Sequence, residues 1–328
     1  MAAPRGTSIA ELVPPDLAAL LRTHPLTLQR PVWGRRHGRH ASSRAGLGHD
    51  FRDHRAYVPG DDPRQLDWRA VARRDRLVLR QTEAEDELAV TLAIDVGANM
   101  GYGEGARSKH AIATAMAAAL AWAALRQGDR AGLVLAGAGT LDTALQRTAA
   151  GNDRLDAIAR ALGAARPLGT APLQRLPEAL APRLPPRSLV VLLTDWLDLA
   201  IDGQDSETVE AALLQGLVQL RARRHDVVLL QVLHRDELTF PWQGEGVLRF
   251  VDRRGTRADL EGAAAAMRAG YLERVHAHLG ALEGRCELHG IVHHRLVTDE
   301  PLASAFMSLL ARLAGQPAQA DVGSEDRP

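Results

Sequence analysis

The chain has a single cysteine, Cys286, and a single lysine, Lys109. One thiol cannot build an internal disulfide framework or a Cys-rich zinc site, which suits a reducing compartment. Cys286 reads as a small packing residue, because nothing beside it in sequence would activate a thiolate. The scarcity of lysine leaves arginine to carry the positive charge and favours bidentate contacts, but that bias names no function. No apolar run approaches the roughly 20 residues of a membrane helix. Prolines and charges interrupt Met1 to Arg30 where a signal peptide would be apolar. The cytoplasm is the expected location. Net charge is lacking as well: 40 acidic residues balance 40 basic ones. No overall field draws the protein onto nucleic acid or an anionic membrane, so partners are read from local patches. There is no internal repeat.

What is present is enough apolar material for a substantial core, 46% of 328 residues. Ala89 to Ile94, Leu189 to Leu193 and Val227 to Leu233 are short runs of Val, Leu and Ile bounded by charged or turn residues, and they read as buried strands. Ala131 to Leu135 is a weaker fourth. Between them, Ile112, Ala115, Met116, Ala119, Leu120 and Ala123 recur at helical spacing, as do Val209, Leu213, Leu214, Leu217 and Leu220. Apolar strands alternating with amphipathic helices predict an α/β domain with a parallel sheet covered on both faces, over residues 87–314. Within it, Ala263 to Leu282 reads as a helix, Cys286 to His293 as a last strand and Pro301 to Leu313 as a closing helix. Residues 315–328 turn polar and are expected to be disordered. Residues 1–86 read as an N-terminal extension: a short helix over Ile9 to Leu21 despite Pro14 and Pro15, an arginine-rich arm, and an extended strand over Arg76 to Glu85.

In an open parallel sheet, ligands bind outside the carboxyl ends of the strands. Two strands end in aspartate at that edge: one runs into Asp95-Val96-Gly97-Ala98-Asn99, the other into Thr194-Asp195-Trp196. Carboxylates from separate strands beside a hydroxyl are the hard oxygen donors that Mg²⁺ accepts. Thr170, just before a helical run, supplies a hydroxyl in the same region or else caps that helix. Asp236 follows the strand ending at Leu233 and belongs to the same edge. His234, His293 and His294 read as surface or core histidines, since neighbours on a strand point to opposite faces.

The most specific stretch lies upstream: Arg55-Ala56-Tyr57-Val58-Pro59-Gly60-Asp61-Asp62-Pro63-Arg64, then Asp67-Trp68 and Arg73. Pro59 and Gly60 make a tight turn, and Asp61 and Asp62 cap the segment after it. Arg55, Arg64, Asp67 and Arg73 can form an ion-pair cluster around Tyr57 and Trp68. That cluster is structural or a docking surface for a partner, with the structural reading preferred.

The strand-end pieces resemble the von Willebrand factor A fold, a doubly wound, mainly parallel sheet. Its metal-ion-dependent adhesion site combines a D-x-S-x-S strand end, a loop threonine and a later aspartate. The resemblance assigns Asp95, Thr170 and Asp195 to those acidic, threonine and aspartate positions. Gly97 stands where the first serine belongs, and Asn99 replaces the second. The implied site is therefore degenerate: it binds Mg²⁺ weakly, or Asp95 only accepts from backbone amides. The upstream stretch resembles the signature of the domain-of-unknown-function 58 family, an Arg-x-Tyr-x-Pro-Gly-Asp-Asp-x-Arg-x-x-Asp-Trp segment ahead of a von Willebrand A-like domain. That resemblance implies a MoxR-type AAA ATPase as partner and a role in assembling or maturing other complexes.

A non-enzymatic adaptor is the leading expectation. A metal-dependent phosphatase of the haloacid-dehalogenase type wants a second aspartate two residues after Asp95, and Gly97 occupies that position. Ser-His-Asp hydrolysis lacks its G-x-S-x-G elbow. A nucleic-acid module rests on seven arginines against two aspartates from Arg30 to Arg55. The preferred reading of that excess is a solvated arm, or a counterpart to Glu83, Glu85, Asp86 and Glu87.

Overall fold

The computed structural model describes residues 7–23, 45–57, 66–68, 70–71, 77–83, 87–197, 199, 205–242, 247–255 and 259–313. Pro59 to Arg64, Arg73, Glu85, Asp86 and the tail from residue 315 lie outside the described residues. The chain divides into two compact units, residues 34–87 and the remainder. In the smaller unit, β1 (Ala45–Ala56) pairs antiparallel with β2 (Val78–Glu83). The Tyr57 amide donates to the Leu77 carbonyl at 2.9 Å, closing that pairing. β2 falls within the strand expected over 76–85. β1 runs through part of the stretch read as an arm, because its partner lies far away in sequence and leaves no local signal.

The larger unit is built on a six-stranded sheet. Its strands are β3 (Ala89–Asp95), β4 (Arg130–Gly137), β5 (Thr140–Ala149), β6 (Leu189–Thr194), β7 (Asp226–Leu233) and β10 (Val292–Val297). Their order is β10-β7-β6-β3-β4-β5, parallel throughout except that β5 runs antiparallel to β4 at the edge. Strands of Val, Leu and Ile are suited to the middle of such a sheet because both faces are covered. β5 was not expected, since it alternates buried and exposed residues as an edge strand does.

The period of two along β3 divides its side chains between two cores. Val90, Leu92 and Ile94 pack with α1 (Ile9–Leu12), α2 (Pro15–Thr23), α3 (Lys109–Arg126), α4 (Asn152–Ala164) and α9 (Leu302–Leu313). Ala93 faces α5 (Leu176–Leu180), α6 (Ser206–Ala222) and α8 (Ala264–Leu288). The expected doubly wound α/β architecture is therefore present. After β7 come α7 (Arg235–Thr239) and a hairpin of β8 (Val247–Phe250) and β9 (Leu260–Ala263), which sequence reasoning did not foresee.

Two further expectations are corrected. The helix over Ile9 to Leu21 is interrupted at Val13, which is extended because a following proline disfavours the helical conformation. Its two pieces place Ile9, Val13, Leu17 and Leu21 in the core beside α3, so residues 1–86 are not one extension. The last strand begins at Val292, not at Cys286. Leu279, Leu282 and Cys286 follow helical spacing and form one buried stripe of α8.

Candidate functional site

The chain leaves β3 for one side of the sheet, through β4 and β5, and crosses to β6 on the other side. The carboxyl ends of β3 and β6 are therefore the topological switch point, where a crevice opens in sheets of this kind. Asp95 ends β3 and Asp195 follows the last residue of β6. The cavity between them is about 20 Å³, room for one water. Asp95, Asn99 and Asp195 line it with Gly97, Ala171 and Arg254. A groove of about 570 Å³ lies elsewhere, between α5 and α6, and the charged residues that line it are Glu178 and Arg223.

Asp95 is buried and committed on both oxygens. Oδ1 accepts from the Gly97 amide at 2.7 Å, and Oδ2 accepts from the Thr194 hydroxyl at 2.8 Å. Burial, reinforced by the nearby Asp195 charge, pushes its carboxyl up to about 7 despite these donors and the Lys109 charge. A serine at Gly97 would be tight: its Cβ would stand 3.0 Å from Asp95 Oδ1 and 3.4 Å from Ala171 Cβ, so the Asp95 carboxyl would have to shift slightly.

Asp195 meets an ammonium. Lys109, 1% exposed, donates from Nζ to Asp195 Oδ2 at 2.9 Å and to Glu237 Oε1 at 2.6 Å. Burial alone would lower the Lys109 ammonium, but the two carboxylates outweigh it and hold it above its ordinary range. Glu237 is raised, chiefly by burial, although Lys109 opposes the shift. The Asp195 carbonyl also accepts from Gln231 Nε2 at 3.1 Å. The next residue, Trp196, is wholly buried at a φ of 51°, a left-handed conformation that packing must enforce for so bulky a side chain. His278 Nε2 sits 2.7 Å from its carbonyl.

Thr170 lies in the loop beside this edge, where its carbonyl accepts from the Gly139 amide at 2.8 Å. It is not among the residues lining the cavity. Nor does it cap a helix: the following helical turn starts after Pro172, whose φ and ψ set its entry. Asp236 does belong to the edge region, accepting from the Tyr102 hydroxyl at 3.1 Å. His234 caps α7, its Nδ1 accepting from the Asp236 amide at 3.2 Å. His293 pairs with Gln231 at 3.1 Å. Of the upstream signature, Asp67 Oδ1 accepts from the Ala70 amide at 3.1 Å, and Trp68 is 65% exposed.

Sequence reasoning missed Lys109, Thr194, Glu237 and Arg254. Lys109 carried one signal, its being the sole lysine among 40 basic residues. The others are ordinary until folding brings them to this edge.

The resemblance of this edge to an adhesion site implies Mg²⁺, and the donor set here does not fit it. Gly97 offers no side-chain oxygen, both Asp95 oxygens already accept internal hydrogen bonds, and Asp195 Oδ2 faces an ammonium. Among the described residues, no three His, Cys, Asp or Glu side chains gather in a metal-holding group.

The six-stranded sheet with one antiparallel edge strand, and its crevice at the β3–β6 switch point, define a doubly wound, mainly parallel α/β protein. The chain belongs to the family described as Protein of unknown function DUF58, whose model matches residues 53–280. An uncharacterized protein of Mycobacterium tuberculosis is 29% identical over 240 residues, covering 72% of this chain and 71% of its own. Among solved structures, an aerotolerance-related membrane protein from Bacteroides fragilis is 15% identical with a TM-score of 0.41, covering 70% of this chain and 100% of that one. The SpRpn10 VWA domain is 9% identical with a TM-score of 0.38, covering 68% and 95%. No helix among the described residues is long and apolar enough to cross a membrane.

Proposed function

We propose that this chain is a non-enzymatic, protein-binding adaptor of the cytoplasm that acts with a MoxR-type AAA ATPase in the assembly or maturation of other protein complexes. One observation carries the reading. Asp95 is held by Gly97 and Thr194, and Lys109 holds Asp195 and Glu237, at 2.6 to 2.9 Å, an arrangement that favours a fixed surface over a reacting centre. A site whose charges are satisfied internally is suited to hold loop shape, and loop shape is what a protein partner reads. The upstream signature adds an exposed aromatic, Trp68, the residue type that anchors protein interfaces.

The test is affinity capture of the tagged full chain from cells that produce it. An AAA ATPase is expected among the captured proteins, and it should be lost with Arg64→Ala and with Trp68→Ala. Capture that repeatedly lacks any such ATPase would sink the adaptor reading. The nucleic-acid alternative rests on the seven arginines between Arg30 and Arg55. It requires DNA binding that weakens steeply with salt, and no binding at low salt removes it.

A further inference from the structure

Lys109 opens α3, where the helix dipole and the first amides favour an anion. Its side chain is also buried, which disfavours an ammonium. Helix position and burial thus both oppose an ammonium here. The groups that hold the charge are tertiary: Asp195 at the end of β6, Glu237 on α7, and the Tyr102 ring, with its centroid 5.9 Å from Nζ.

Glu237 is fixed in turn. Its Oε2 accepts from the His234 amide at 2.7 Å, and its carbonyl accepts from the Tyr271 hydroxyl at 3.0 Å. Beside it, Asp236 accepts from Tyr102. Further along the same stretch, Arg253 donates from Nε to the Ala98 carbonyl at 3.3 Å, and Arg254 reaches the cavity wall beside Asp95 and Asp195. Lys109 therefore ties the strand-end edge on one side to the segment after β7 on the other.

A divalent ion at such an edge gathers carboxylates from separate loops and offsets their repulsion. We propose that Lys109 is the resident cation of this edge: its ammonium does that work between Asp195 and Glu237, and the native protein takes no divalent ion there. The inference shares these contacts with the adaptor reading, but its readout is ion binding by the isolated chain, so failure to capture a partner leaves it standing.

Calorimetric titration of the wild-type chain with Mg²⁺ and with Mn²⁺ should give no stoichiometric heat, and its Tm should be the same with and without EDTA. Lys109→Ala removes the charge and leaves space. It should melt several degrees lower, and millimolar Mn²⁺ or ethylammonium should restore part of the loss where choline at equal ionic strength does not. Lys109→Ala combined with Asp195→Asn should lose the Mn²⁺ response. Stoichiometric Mg²⁺ or Mn²⁺ binding by the wild type overturns the proposal, as does a Lys109→Ala protein that no cation restores. If Lys109→Ala does not fold, the wild-type titration still decides, alongside Lys109→Arg, which keeps the charge and should also ignore divalent ions.

Discussion

Lys109 and Asp195 lie 86 positions apart in the chain and meet at 2.9 Å in its interior. Both side chains are almost wholly withdrawn from water, and Glu237 closes the group from a third element. Breaking one member of a buried ion pair leaves an uncompensated charge, whereas removing all the charges together does not. Lys109→Met should therefore destabilise the fold by about 3 to 5 kcal/mol in urea unfolding. Adding Asp195→Asn and Glu237→Gln should recover a substantial part of that loss. Equal or greater loss in the triple variant would show that the ion group contributes net stability instead of merely requiring its own completeness.

The pH dependence centred on Asp95 has a definite sign. Its carboxyl titrates near 7 in the fold against 3.8 in an unfolded chain, so the native state keeps the proton longer. The cost of ionisation is absent below about pH 4, grows between about 4 and 7, and is complete above about 7. Asp95→Asn keeps an acceptor for the Gly97 amide and offers a donor to the Thr194 hydroxyl, which can rotate. Relative to wild type, it should gain on the order of 2 to 4 kcal/mol at pH 8 and little near pH 4. Denaturant midpoints across that range check it, and a gain that is flat with pH would contradict it.

Restoring the serine of the adhesion-site pattern should not restore a metal site. In Gly97→Ser the new Cβ approaches Asp95 Oδ1 and Ala171, and Lys109 still occupies Asp195 and Glu237. A stability loss of about 1 to 2 kcal/mol is expected, with a Mg²⁺ titration as flat as that of the wild type. Tight binding by this single variant would mean that the missing oxygen, and not the ammonium, is what keeps the ion out.

Cys286 is buried in α8, and burial pushes its thiol up to about 12. Native protein should resist iodoacetamide at pH 8, and protein in denaturant should be alkylated completely. Mass spectrometry distinguishes the two. Rapid native labelling would mean that the end of α8 opens readily, since the thiol is otherwise inaccessible and protonated.

Sequence reading went furthest where burial leaves a local mark. β3, β6 and β7 are runs of Val, Leu and Ile because they are covered on both faces, and that pattern predicted the parallel sheet. It failed where strands are half-exposed or pair far away: β5 and the β8–β9 hairpin lie beside their partners in sequence but carry no continuous buried run, and β1 pairs with a strand far along the chain. Cys286 was misplaced because a helix ending in a buried stripe and a short apolar strand look alike over a few residues.

The sequence alone determined that Asp95 and Asp195 would stand at one edge, since each comes at the end of a strand of the same parallel sheet. It also determined that Gly97 could supply no side-chain oxygen. What those carboxylates face was decided only by tertiary structure. Lys109 begins one helix and Glu237 lies on another, and neither spacing nor periodicity relates them to Asp195. The interior has to neutralise the charges it encloses, and which charges meet there is a property of packing, not of any local stretch of chain.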